Sequence, residues 1–261
     1  INDVENAGCY ATDHPYHKNH QESFWVLYDR CFKLFDELHE EAPELFIDCT
    51  FETAGRLQLI DYAIVKHADG DWLSNIEDSN PVGSLRIRQM AWWRSPVIPA
   101  SALVIGNLTL NDPMYELSIK SLAGSLPILL GDLTKVRKKD RAIVKTWSVW
   151  LDQMQKEYDY MLYRQDLPGF GEPMEGHWDG WARINLETKK GGIIGVFKQG
   201  VVETERRVTV HGLDEKTMYQ VIPARSSESI GEMTGKELKT RGFKVEITKE
   251  YDGKLFEIKG L

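Results

Sequence analysis

The sequence has no apolar run approaching the roughly 18 residues that a membrane-crossing helix needs, so no membrane span is expected. It also lacks an excess of positive charge. Lys+Arg 32 against Asp+Glu 40 gives a net charge of -8, which argues against a nucleic-acid partner. There are only three cysteines, Cys9, Cys31 and Cys49. An odd number does not make a disulfide framework and leaves the redox compartment open. Neither a G-x-G-x-x-G fingerprint nor a Walker loop occurs, which removes support for a nucleotide-binding sheet. What remains is an ordinary globular composition, 261 residues of which 42% are hydrophobic and 28% charged. Eight tryptophans stand out. That density suits proteins that bind sugars or other flat apolar faces, and equally a Trp-rich core.

The first 20 residues read as a polar loop. From Gln21 the pattern changes: Phe24, Leu27, Cys31, Leu34, Phe35 and Leu38 mark an amphipathic helix over 21–41, stopped by Pro43. The apolar run 45–47 reads as a strand buried on both faces. A helix over 55–65, a polar loop over 72–83 and a helix over 85–93 follow. Then come a strand over 102–105, a helix over 115–122, a strand over 126–130 and a long helix over 139–163. This alternation is the signature of parallel βα units. After Pro168-Gly169 and Pro173 the pattern switches to short strands at 181–184, 192–197, 207–210, 219–222, 243–247 and 255–258. They predict an antiparallel β-sandwich. Two domains are expected, 1–173 and 174–261.

The βα units alone fit either a small open sheet or the second half of a (β/α)8 barrel, which in full needs about 250 residues. In either case function collects where parallel strands end. Those ends offer Asp3, Glu5 and Asn6, then Asp48, Cys49, Glu52, Gly55 and Arg56, then Trp72, Asn75, Glu77 and Asp78, and later Asn107 and Asp132. Carboxylates on successive strand ends, with a Trp and an Arg, suit glycoside hydrolysis, where two carboxyl groups flank the bond being cut. Each acid taken singly is equally a helix cap or a solvated loop residue.

Several segments resemble one family. Cys49-Thr50-Phe51-Glu52-Thr53-Ala54-Gly55-Arg56, then Trp72-Leu73-Ser74-Asn75, then Leu85-Arg86-Ile87-Arg88 are similar to the barrel of the α-galactosidase-type glycoside hydrolases, family 36 of clan D. The likeness continues through Gly131-Asp132-Leu133-Thr134-Lys135, His211-Gly212-Leu213-Asp214 and Met233-Thr234-Gly235-Lys236-Glu237-Leu238, in the family's order. It implies the carboxyl-terminal half of a (β/α)8 TIM barrel followed by an antiparallel β-sandwich. It implies a retaining glycosidase acting on terminal α-linked galactose or a related sugar, without cofactor or metal. Asp3 falls where the family keeps its nucleophile, although the flanking Ile1 and Asn2 do not match. Cys49, Gly55 and Arg56 would border the sugar hydroxyls, and Trp72 would wall the pocket.

The acid/base position is 75, and it holds Asn, which cannot donate and regain a proton at neutral pH. Three explanations stand: an inactivating substitution, a proton supplied by Glu77 or Asp78 from a shifted loop, or a protein that only binds carbohydrate. By the same resemblance Ile1 begins inside the fourth barrel strand. An N-terminal half, or a partner chain that completes the barrel, is therefore expected. Cys9, His14, His17 and His20 have spacings able to ligate a metal, but a His-x-x-His-x-x-His run in a polar loop has no regular geometry. No metal is expected there.

Overall fold

The first helix, α1 (His20–Glu41), starts where Asn19 accepts the Glu22 backbone N–H at 2.8 Å. It ends at Ala42, one residue ahead of the proline that cannot continue it. Tyr28, Phe32 and Phe35 line its inner face and pack on Cys49, Ile64 and Ala68. These elements belong to a computed structural model that describes residues 8–49 and 62–261.

Behind α1 stands a four-stranded parallel sheet in the order β1 (Asp48–Cys49), β2 (Gly70–Ile76), β3 (Leu103–Asn107) and β4 (Leu126–Leu129). The helices α2 (Tyr62–His67), α3 (Val82–Arg94) and α4 (Tyr115–Leu122) connect or flank those strands. Ile76 of β2 and Leu103 and Ile105 of β3 share one core with Ile87 and Ala91 of α3. β3 is buried along its whole length, as a central parallel strand covered on both faces must be.

Three expectations change here. The apolar run 45–47 is not a strand: Leu45 and Phe46 are 42% and 50% exposed. The Asp69 carboxylate takes the Ile47 N–H at 2.8 Å, and the Ile47 carbonyl accepts the N–H groups of Asp69 and Gly70. With those groups taken up by Asp69 and Gly70 at the foot of β2, ladder pairing starts only at Asp48↔Gly70. The expected polar loop over 72–83 instead contributes β2, which pairs with both β1 and β3. Its polar residues occur in a strand because both neighbours supply hydrogen bonds; tertiary pairing overrides the local preference. The long helix, α5 (Lys138–Tyr158), stops before 163 because Asp159 takes the left-handed conformation at φ 45°.

The remaining strands are antiparallel. β5 (Gln165–Asp166), β6 (His177–Ile184), β7 (Gly191–Gln199), β9 (Met218–Pro223), β10 (Gly231–Thr234) and β12 (Tyr251–Gly260) form one sheet in the order β10-β9-β12-β7-β6-β5. β8 (Glu205–Val208) and β11 (Phe243–Glu246) form a two-stranded ribbon. Val208, Phe243 and Val245 of the ribbon join Ile194, Val196, Val221 and Phe256 in one core. On the sheet's other face Trp181, Ile193, Phe197 and Leu255 pack on Trp147, Trp150 and Met154 of α5 and on Leu117 and Ile119 of α4. The continuous burial of β7 follows: both faces are covered, so its sequence shows no alternation. Between β10 and β11 lies α6 (Gly235–Thr240), opened by a capping box in which Thr234 and Glu237 satisfy each other's backbone N–H groups.

A buried ion pair joins the parallel and antiparallel parts. Arg88 of α3 donates from Nε and one terminal nitrogen to the two oxygens of Asp179 on β6, at 2.8 and 3.1 Å. Its remaining donors reach Gln199, Ser121 and the Ser84 carbonyl. Burial pushes the Asp179 carboxyl up while the Arg88 guanidinium pulls it back. The two-pronged geometry is that of an ionised pair.

Candidate functional site

In a parallel sheet the backbone turns outward where the strands end, and side chains from neighbouring strands converge there. Midway along β2 the pairing with β3 slips between Trp72 and Ser74, then resumes as Ser74↔Ile105, Asn75↔Gly106 and Ile76↔Asn107. The slip brings Trp72 and Asn75 together: the indole N–H donates to Asn75 Oδ1 at 2.9 Å. Gly106 makes room for the ring. A Cβ there would lie 3.1 Å from the Trp72 ring and 2.4 Å from Leu130 Cδ1. Asn75 is exposed and Trp72 half-buried.

The acids beyond Asn75 differ. Ile76 points into the α3 core, so Asn75 and Glu77 project from the opposite face, and Glu77 is exposed. Asp78 is held in an ion pair by Arg86 of α3. Asn80 is tied into a network with the Asp112 carboxylate, at 3.0 Å, and the Ser118 hydroxyl, at 2.8 Å. The loop that follows β2 is thereby fixed at both ends while Glu77 stays open to solvent.

β1 supplies Asp48 and Cys49. Burial pushes the Asp48 carboxyl up, and the Trp72 backbone N–H partly offsets this. The Cys49 thiol is pushed up to about 11, by burial first and then by the neighbouring Asp48 and Asp71. A thiol in that state is neutral at physiological pH and a poor nucleophile. It can border a ligand as a small apolar group. Further along the rim, Asn107 is buried and bonded to Thr109, and Asp132 caps the short turn after β4 by accepting the Thr134 N–H at 3.0 Å. Asp132 is thus a cap, and hydrogen bonds from Thr134 and Lys135 hold its carboxyl low.

Of the residues expected at the site, Cys49, Asn75, Glu77 and Asp78 lie on the carboxyl ends of β1 and β2 or just beyond them, and Trp72 lies within β2 with its indole bonded to Asn75. Asp3, Gly55 and Arg56 lie outside the described residues. Asp71 and Gly106 were not foreseen. Asp71 is a buried acid paired in register with Cys49, and the signal for it was a strand hidden by polar letters.

The loop ahead of α1 also gathers reactive side chains. The donor atoms of Cys9, His14 and His17 lie within 4.8 Å of one another. Irregular backbone, not a helix or strand, brings them there.

The sequence matches no protein-family model and no curated protein. Solved structures do match. The GH36 α-galactosidase AgaB from Geobacillus stearothermophilus superposes with a TM-score of 0.73 at 15% identity, over 96% of this chain and 33% of that one. The α-galactosidase from Lactobacillus brevis gives 0.69 at 14% identity, over 92% and 32%. The galactosidase domain of the α-galactosidase–sucrose kinase AgaSK gives 0.67 at 14%, over 94% and 33%. The chain spans about a third of the length of these proteins. Its mixed parallel and antiparallel architecture is similar in fold to the carboxyl-terminal part of GH36 α-galactosidases.

Proposed function

We propose that this chain is the carboxyl-terminal part of a retaining glycoside hydrolase of α-galactosidase type, acting on terminal α-linked galactose or a related sugar. The observation that carries this reading is the Trp72–Asn75 pair at the end of a central parallel strand, within a fold similar to that of α-galactosidases. In this reading the β1–β4 sheet is half of a (β/α)8 barrel closed by an N-terminal half or a partner chain. Residues 1–173 then form the catalytic unit, and 174–261 form an antiparallel sandwich behind it. β5 and the Arg88–Asp179 pair tie the two together.

The chemistry follows from the resemblance and from the site. The Asp3 carboxylate attacks the anomeric carbon as the glycosidic C–O bond breaks, giving a glycosyl-enzyme. The departing oxygen takes a proton from a nearby acid, and water later cleaves the ester while returning that proton. Asn75 accepts a hydrogen bond from Trp72 but has no proton to give. Glu77 shares its face and is open, so it is the proton donor in this scheme. Asp78 is engaged by Arg86 and serves to position the loop. Trp72 offers an apolar face to the sugar, with Cys49, Gly55 and Arg56 around its hydroxyls.

A second reading, carbohydrate binding without hydrolysis, is favoured by Asn75 itself. Release of nitrophenol from nitrophenyl α-galactoside separates the two. Hydrolysis that is lost in Glu77→Gln supports the first. Galactose binding with no hydrolysis, lost in Trp72→Ala, supports the second. Asn75→Asp restores an acid to the position, and general acid catalysis of this kind contributes about 10²–10⁴-fold. If neither the unsubstituted protein nor Asn75→Asp, each within the full-length barrel, binds or cleaves any α-galactoside, both readings fail.

A further inference from the structure

We propose that Cys9, His14 and His17 form a binding site for one zinc ion, completed by a water molecule, in the loop that leads into α1. The three side chains offer a thiolate and two imidazole nitrogens, the donor set that zinc prefers. Cys9 Sγ and His14 Nε2 are 3.2 Å apart, and all three donor atoms fall within 4.8 Å of one another. Tetrahedral zinc, with Zn–S near 2.3 Å and Zn–N near 2.0–2.1 Å, holds sulfur and nitrogen about 3.5 Å apart and two nitrogens about 3.3 Å apart. Small rotations of the rings close the remaining gap.

Apart from the contact of His14 Nε2 with Cys9 Sγ, the two imidazoles have no polar partner. His14 Nδ1 and both ring nitrogens of His17 are shielded from solvent and have no hydrogen-bond partner. A neutral imidazole carries one donor and one acceptor, and burying both unsatisfied is costly. A metal bound through one nitrogen of each ring removes much of that cost. The two rings stand nearly perpendicular, at 83° with centroids 4.5 Å apart, so they present separate edges rather than stacking.

The backbone holds the donors in place. The Cys9 N–H donates to Ser23 Oγ at 2.7 Å, fixing the cysteine on the first turn of α1. The Tyr10 ring stacks on His20 at 3.9 Å; His20 Nδ1 also has no hydrogen-bond partner, but His20 lies outside the trio whose donor atoms converge. Gly8 lets the chain pass: a Cβ there would sit 2.2 Å from the His20 ring. Beside the cluster is a cavity of about 300 Å³ that Tyr16 and Arg30 also line, with room for the fourth ligand.

The position gives the site a purpose. The last turn of α1 meets the start of β2, where His39 bonds Asp69 at 2.9 Å, so α1 runs opposite to the strands. Its first turn, and the Cys9–His17 loop with it, stands on the side where the strands end. Zinc there pins a loop on the same side of the sheet as Asn75. On binding, the Cys9 thiol loses its proton to solvent and the thiolate becomes the ligand.

Cobalt(II), which replaces zinc and absorbs light, is the probe. Titrated into the metal-free protein it is expected to bind one equivalent. It should give a near-ultraviolet thiolate-to-cobalt band together with the intense visible bands of a four-coordinate ion. Zinc should then displace it, raise the melting temperature and shield Cys9 from alkylation. Cys9→Ser is expected to abolish the thiolate band, and His17→Ala to abolish four-coordinate binding. Cys31→Ser is expected to leave both intact. Far-ultraviolet circular dichroism reports whether each variant is folded. No thiolate band in the unsubstituted protein, or a band that survives Cys9→Ser, overturns the proposal.

Discussion

Asp179→Ala tests how the two parts of the chain are joined. Arg88 and Asp179 are 1% and 2% exposed at their side chains and meet through two hydrogen bonds of 2.8 and 3.1 Å. Removing the carboxylate leaves a guanidinium with Gln199, Ser121 and the Ser84 carbonyl as partners, but without its negative charge. Arginine cannot escape by losing its proton. Breaking one side of a buried pair costs about 3–5 kcal/mol. For a chain of this size each kcal/mol lowers the melting temperature by about 2–4 °C, so a fall of roughly 6–20 °C is expected by scanning calorimetry. The reverse variant, Arg88→Met, behaves differently with pH. Without the Arg88 guanidinium, burial is the largest influence on the Asp179 carboxyl and raises it, with only the more distant Arg164 charge opposing. A group raised in the folded state favours folding at low pH and loses that contribution as pH rises through its folded value. The deficit of Arg88→Met should therefore shrink on acidification below neutrality, while that of Asp179→Ala should not. The double variant Arg88→Met/Asp179→Leu should recover most of the loss, because an apolar pair replaces both charges. A double variant as unstable as Asp179→Ala would refute the reasoning, since the defect would then lie in packing rather than in an unpaired charge.

Two further expectations concern the strand ends. Gly106→Val should destabilise the protein by about 1–3 kcal/mol, since the added carbons meet Leu130 and Trp72; an unchanged melting temperature would mean the ring is not held against β3. Cys49, with its thiol pushed up to about 11, should resist iodoacetamide at pH 7 and react only in strongly alkaline solution. Peptide mass spectrometry locates the label, and rapid neutral labelling of Cys49 would contradict its burial.

Elements whose pattern is local were legible. The helix at Tyr115–Leu122 falls where the periodicity puts it, although its apolar residues reach two cores: Tyr115, Leu117 and Ile119 pack with α5 and the antiparallel sheet, and Leu122 with β3 and α3. β2 was not legible, since Asp71, Ser74 and Asn75 read as loop letters until β1 and β3 are placed beside them. The end of α5 was missed because Asp159 can take a left-handed conformation that apolar periodicity does not register. At the site, the Trp72–Asn75 association was readable as a short motif. The roles of Asp78 and Asp132 were not, because each depends on a partner that spacing alone does not identify. Cys9, His14 and His17 were recognisable as donors, yet their convergence is a property of irregular backbone. Arg88 and Asp179 are 91 residues apart, and nothing in either segment announces the other.

α3 carries two arginines two positions apart, which a helix turns toward opposite sides. Arg86 holds Asp78 beside the strand ends, and Arg88 holds Asp179 inside the antiparallel sheet. One rigid helix is thus shared property. A genetic exchange that carried the antiparallel sheet to another scaffold would bring a buried carboxylate without the guanidinium that clasps it. An exchange of the parallel part alone would strand the cation. The sheets are consequently expected to travel through evolution together, and a substitution at position 179 to be followed by one at position 88.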